Sequence, residues 1–270
     1  MASSMVLRFI KHLIYYNKHS YKFYKTLRSL LTQKSKNATH PQDIIVCGMF
    51  RSGSTLVYNL VSEILKSSYN PSAGFFHNYK EYVELSAQPN FFIVRKTHYF
   101  SIKLKNRISR KKTLGLFTHR NLLDVIASMV QKNMITNLQN FIDDFGVERL
   151  AYDAIAIAET QNIINIPYSD LLNNKSIIIN QLCDKLEVSL NPEEMDKIID
   201  NTSIAKTKKQ IEVLKIDDKK IDSISGLHFN HINDPSIGKW NKVLSNKEVE
   251  LISNKRAFKE YNKFFNYKIS

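Results

Sequence analysis

The stretch "DIIVCGMF" from Asp43 gathers apolar and β-branched residues into a short run bounded by turn formers. Such a run is the mark of a buried strand with both faces covered. Directly after it, "STLVYNLVSEILK" sets Leu56, Leu60, Val61, Ile64 and Leu65 at helical spacing. Two further apolar runs, "NFFIVRKTH" and "KKTLGLFTHR", end in basic and histidine residues, and the second leads into "NLLDVIASMVQK", again at helical period. The pattern then predicts a helical region from about Asn140 to Asn162 and a short strand within "NIINIPYSDLL". "NKSIIINQLCDKLEV" and "NPEEMDKIIDNTS" read as helices, the second opening on Pro192 and Glu193. From Lys208 to Gly238 the chain is polar and lacks a strong period, and there is no internal repeat. Strands that end in polar residues and pass into helices predict an α/β fold, an open and mostly parallel sheet flanked by helices, with ligands at the carboxyl ends of the strands.

Composition narrows the partner. The chain has 270 residues, 43% of them hydrophobic, enough for one large core. Its formal net charge of +14 points to an anionic partner. Two cysteines, Cys47 and Cys183, are too few for a disulfide framework or a zinc site and suit a reducing, cytoplasmic location. Every apolar run is too short to span a membrane. Residues 1–42 form a separate unit, a basic amphipathic helix and linker, ahead of the core domain of residues 43–270. No acidic residue occurs before Asp43, and Leu7, Ile10, Leu13 and Ile14 fall at helical spacing. Peripheral contact with a membrane surface and packing on the core domain both fit that helix.

Between the first strand and helix lies the first sign of chemistry. Gly48 and Gly53 stand at G-x-x-x-x-G spacing, yet Ser54 occupies the position where a P-loop NTPase carries lysine, and Arg51 has been gained. A strand-loop-helix turn aims backbone N–H groups and a helix dipole at one spot, so the fold is P-loop-NTPase-like and an anion is the expected occupant. Triphosphate with magnesium is under-provided without the lysine. A phosphosulfate suits the site, with Arg51 on a bridging oxygen and Ser52, Ser54 and Thr55 as hydroxyl donors.

Here the residues resemble the sulfotransferases that use 3'-phosphoadenylyl sulfate (PAPS). "RSGST", Arg51 to Thr55, resembles the family's [KR]-S-G-[ST]-T loop, and "KTH", Lys96 to His98, its strand-end K-T-H. "THRNLLDVIASM" resembles the R-[DN]-x-x-D-x-x-x-S segment and contributes Arg120 and Ser128; "IPYSDLL" contributes Tyr168, and "NTSIAKTKK" contributes Thr202 and Ser203. Near the end, "SIGKWNKVLSNKEVELI" resembles the family's closing segment, but Asn233, Asp234 and Pro235 replace the R-K-G that normally precedes it. Lys239 is the candidate substitute cation.

The resemblance implies sulfuryl transfer to a hydroxyl or amine, with residues 43–270 as the sulfotransferase domain. His98 is the implied base, with Glu81 in reserve; Lys96 and Arg51 stabilise the transferring group. Arg51, Ser52, Gly53, Ser54, Thr55, Arg120, Ser128, Tyr168, Thr202, Ser203 and Lys239 hold the donor, PAPS, and no metal is required. The acceptor is a small molecule, a lipid or a carbohydrate. Arg120 also stands four residues before Asp124, the spacing of an ordinary salt bridge, and sharing a phosphate with Ser128 requires Arg120 to lie in the strand-end turn. A small-molecule kinase on the same loop and a non-catalytic polyanion binder are the alternatives. No named nucleic-acid module occurs, so nucleic acid is not an expected partner.

Overall fold

The computed structural model describes residues 43–68, 93–98, 100, 102–111, 113–216, 227 and 235–268. Four strands, β1 (Asp43–Gly48), β2 (Ile93–Thr97), β3 (Leu114–His119) and β4 (Ile163–Pro167), form one sheet in the order β2-β1-β3-β4. All three pairings are parallel, with Val46 opposite Lys96 and Leu116 in the two ladders that flank β1. Parallel strands are covered on both faces, and the period-2 alternation of β1 shows it. Ile44 and Val46 face one core with Val57, Leu60, Val61 and Ile64 of α1 (Ser54–Ser68), whereas Ile45 and Cys47 face a second core.

The second core is supplied by α3 (Leu122–Gln131), α5 (Gly146–Ala158) and the C-terminal helix α11 (Arg256–Phe265). Helix α11 buries Ala257, Phe258, Tyr261 and Asn262, one stripe two turns long, and leaves its charges outside. Between β2 and β3 lies α2 (Ile102–Ser109). At the amino ends of the strands, the Asp43 carboxylate takes bonds from Arg95 at 2.7 and 2.8 Å, from Thr113 at 3.0 Å and from Arg107, tying β1, β2 and α2 together at the end opposite the loop.

The expected helical region near 140–162 is two helices, α4 (Leu138–Asp143) and α5, separated by Phe145 in the left-handed region at φ 59. A side chain on Gly146 would put its Cβ 2.4 Å from the Phe141 ring, so the two helices close on one another only through glycine. After β4 come α6 (Tyr168–Asn173), α7 (Lys175–Leu186) and α8 (Pro192–Asn201), the last opened by a reciprocal Asn191–Glu194 capping box. The stretch read as lacking a period begins inside helix α9 (Ile204–Ile216), in which Ile211 is buried among exposed or half-buried neighbours, too thin a stripe to register as periodicity. A single 3-10 turn (Lys239–Lys242) precedes α10 (Asn246–Asn254), which leads into α11. The basic segment 1–42, the reserve base Glu81, and Asn233 and Asp234 lie outside the described residues.

Candidate functional site

The strand order places a topological switch between β1 and β3: the chain leaves β1 for β2 on one side, then crosses back to β3 on the other. Crevices at the carboxyl ends of such strands are where open α/β sheets bind ligands. The loop Met49–Gly53 and the turn at Arg120 both lie there. The loop is anchored by the Met49 N–H to the Thr118 carbonyl at 3.1 Å. Its turn uses two left-handed residues, Arg51 at φ 62 and Gly53 at φ 89. A Cβ on Gly53 would lie 2.9 Å from Cδ2 of Tyr168, so the glycine is required by conformation and by contact at once. Ser54 opens α1, whose first N–H groups lack intrahelical partners and favour an anion at the loop mouth. Ser54 and Thr55 are both buried.

One side of the loop carries the proton chemistry. Nδ1 of His98 lies 2.8 Å from the Gly48 carbonyl. A carbonyl only accepts, so Nδ1 carries the hydrogen and the neutral imidazole keeps its lone pair on Nε2, the arrangement a general base needs. The His98 ring is stacked on Phe50 with centroids 4.7 Å apart. Burial, with the Lys96 and Arg51 charges adding to it, holds the His98 pKa below its ordinary value, against the opposing pull of the Gly48 carbonyl. Lys96 donates to Oγ1 of Thr55 at 2.7 Å, and burial followed by the Arg51 charge lowers its pKa to about 8.

The other side carries the cations. Nε of Arg51 donates to Oγ of Ser128 at 3.0 Å, joining the loop directly to α3. Arg120 lies between β3 and α3, in the strand-end turn, and its guanidinium reaches the Arg51 carbonyl at 3.4 Å, the Ser236 carbonyl at 2.6 Å and the Asp124 carboxylate at 3.4 Å. The same guanidinium sits 4.2 Å from the centroid of the Tyr168 ring, a cation–π contact. Its Nε is buried with no hydrogen-bond partner among the described residues. A buried donor left this way is costly unless an acceptor arrives. Burial, then the nearby Arg120 charge, lowers the Arg51 pKa. Two mutually repelling guanidiniums beside an orphaned N–H make a site that fits an anionic phosphate or sulfate.

The expected site residues do not all serve as expected. Arg51, Gly53, Ser54, Thr55, Lys96, His98, Arg120, Ser128 and Tyr168 gather around the loop. The Ser52 hydroxyl does not offer itself to a ligand: fully buried, it donates to the Met49 carbonyl at 2.7 Å and sits 2.7 Å from Oγ1 of Thr118, which staples the loop to β3. Thr202 caps α8, its hydroxyl donating to the Ile198 carbonyl at 2.7 Å, and Ser203 accepts the Lys206 N–H at 3.2 Å as α9 begins. Those hydroxyls finish helices. Lys239 is buried along α3, donating to Gln131 at 3.4 Å. The Tyr168 hydroxyl donates to the Pro235 carbonyl at 3.1 Å.

Asp124 has a larger role than the salt bridge its spacing suggests. Its carboxylate accepts the N–H groups of Gly238 at 2.9 Å and Trp240 at 3.2 Å, so it clamps the closing segment onto α3 beside Arg120. Behind Arg120 a cavity of about 230 Å³ opens, lined by Arg120, Asp124, Tyr168, Gly238, Tyr267 and Lys268 among others. The wall from Tyr267 and Lys268 was not foreseen, because nothing in their local sequence marks them as parts of a site. Among the described residues no cluster of three His, Cys, Asp or Glu side chains is placed to hold a metal ion.

Comparisons with known proteins agree with this fold. The sulfotransferase domain family model matches residues 41–254. Among solved structures, the mouse sulfotransferase SULT7A1 complexed with PAP matches with a TM-score of 0.62 at 15% identity, over 84% of this chain and 89% of that one. Retinol dehydratase in complex with retinol and PAP matches with a TM-score of 0.59 at 16% identity, over 86% and 84%. Retinol dehydratase with androsterone and the inactive cofactor PAP matches with a TM-score of 0.56 at 15% identity, over 83% and 81%. At these identities the likeness is one of fold. No curated protein matches the sequence significantly.

Proposed function

The chain belongs to the sulfotransferase family, and from that premise we propose that it transfers a sulfuryl group from PAPS to a small-molecule hydroxyl, with His98 as the base. The observation that carries the reading is the Arg51–Ser128 bond of 3.0 Å. It joins the amide loop directly to α3 beside Arg120, and a nucleotide with a 5' phosphosulfate and a 3' phosphate needs those two groups side by side. The PAP present in the similar structures supports the same donor.

In the reaction the acceptor oxygen bonds to sulfur, the bond from sulfur to the bridging oxygen breaks, and the acceptor's proton passes to Nε2 of His98. His98 is presented in the required tautomer by the Gly48 carbonyl. Arg51, Lys96 and the first turn of α1 surround the place where negative charge accumulates on the departing phosphate, which is worth most in a partly dry site. Arg120 and Ser128 hold the 3' phosphate. Burial and the Arg51 charge bring the Lys96 pKa down to about 8, and an anionic donor beside it raises that pKa again.

The acceptor faces Phe50 and His98, and the retinol and androsterone complexes of a structural neighbour support a small alcohol rather than a polymer. No described helix is long and apolar enough to cross a membrane. Residues 43–270 as the catalytic domain, a cytoplasmic location, and residues 1–42 as an appended basic segment able to touch a membrane surface belong to the same proposal. Calorimetry tests it. Adenosine 3',5'-bisphosphate binds at micromolar concentration and ATP with magnesium binds more weakly; Arg120→Ala weakens the bisphosphate about tenfold or more by removing a charge-assisted fork. His98→Ala keeps that binding and loses about 10²-fold or more in transfer. A preference for ATP with magnesium overturns the proposal.

A further inference from the structure

We propose that Lys268, from the segment that follows α11, supplies the second cation for the nucleotide's 3' phosphate. This inference rests on the donor reading above. A phosphate monoester carries close to two negative charges at neutral pH, and the provision around Arg120 is thin. Asp124 sets its carboxylate 3.4 Å from the Arg120 guanidinium and cancels part of that charge. Asn233, Asp234 and Pro235 themselves carry no basic side chain. Lys239, the nearest candidate along the chain, is committed to Gln131.

The cavity beside Arg120 has a second cationic wall. Lys268 lines the same space of about 230 Å³ as Arg120 and Gly238, and the Arg120 Nε is a buried donor with no partner among the described residues. Lys268 is exposed, so its ammonium remains hydrated until an anion arrives and carries little burial cost beforehand.

Its placement is not left to a loose tail. Asn266 reverses the chain in the left-handed region at φ 57, and the Tyr267 N–H donates back to the Asn262 carbonyl at 2.9 Å. The Tyr267 hydroxyl meets Nδ1 of His119 at 2.9 Å, and its ring lies parallel to Tyr261 with centroids 6.0 Å apart. Tyr261 donates its hydroxyl to the Arg120 carbonyl at 2.7 Å. Thus the residue before Arg120 is held by the residue before Lys268, and Arg120 itself is held by the helix that leads to them. The two cations are fastened to one aromatic block.

The test compares adenosine 3',5'-bisphosphate with adenosine 5'-monophosphate by calorimetry, using the full chain, because the ratio of the two affinities isolates the 3' phosphate. Wild type prefers the bisphosphate. Lys268→Ala reduces that preference about tenfold through the bisphosphate alone, a charge-assisted bond discounted for exposure, and Lys268→Arg restores it. Tyr267→Phe, which deletes only the bond to His119, lowers the same ratio without altering monophosphate binding. A wild type that prefers the bisphosphate combined with a Lys268→Ala variant that retains the whole preference overturns the inference and spares the donor reading. A wild type with no preference overturns the donor reading itself.

Discussion

Gly53→Ala offers a measurement of how the loop is held. The substitution adds one methyl group, and the structure gives two separate reasons for it to cost stability. At φ 89 the backbone is in a region that an L-residue enters at about 1–2 kcal/mol. The new Cβ would also lie 2.9 and 3.2 Å from two ring atoms of Tyr168 and 3.1 Å from Cδ1 of Leu171. Carbon atoms prefer about 3.5–4.0 Å, so the ring must move, and overpacking of this kind costs about 1–3 kcal/mol. The total is about 2–5 kcal/mol, readable as a fall in unfolding free energy by urea titration. A double-mutant cycle with Tyr168→Ala separates the parts. In that background the ring is gone and only the backbone cost and the Leu171 contact remain, so Gly53→Ala costs about 1–3 kcal/mol less there than in wild type. Equal costs in the two backgrounds would refute the claim that the loop is braced against Tyr168. A cost under about 1 kcal/mol in wild type would refute the left-handed turn as well.

Two pH experiments follow from buried titrating groups. In kcat/KM, which reports the free enzyme, activity rises with pH as His98 loses its proton below 6.5 and falls through about 8 as Lys96 loses its own. Lys96→Met removes the upper limb and moves the lower one to higher pH, because the Lys96 charge helps to depress the His98 pKa; an unmoved lower limb would contradict that coupling. Burial lowers the His119 pKa to about 4, against about 6.5 in an unfolded chain. The unfolded state therefore takes up the proton first, so the contribution is whole above 6.5 and is lost as pH falls toward 4, up to ~3 kcal/mol in all. Urea titrations across that window show the decline, and His119→Phe flattens it; the same slope in both proteins would sink the argument.

The parts of the site legible in the sequence are those whose partners are close along the chain. The loop from Gly48 to Gly53, the first turn of α1 and the triplet Lys96 to His98 each state their chemistry within a few residues, and the order of strand and helix follows from period alone. Long-range partners are a different matter. Ser52 looks like another hydroxyl donor until Thr118, 66 positions later, is seen to take it up. Thr202 and Ser203 match a motif, yet helix capping explains both hydroxyls, since a terminal turn satisfies its backbone with whatever hydroxyl lies nearby. Lys239 lies beside Gly238 in sequence and turns toward Gln131 in space. Tyr261 and Tyr267 carry no local sign of function, because their significance comes from strand β3, more than a hundred residues earlier.

Arg51 at φ 62 leaves a trade written into the loop. A glycine at that position would relax the turn by about 1 kcal/mol, and a protein bred for heat resistance alone would drift toward it. Such a lineage would arrive at a sturdier loop with no guanidinium on it. The handedness of a single residue thereby sets thermal robustness and catalytic charge against each other, and screens that score only one of them will select away the other.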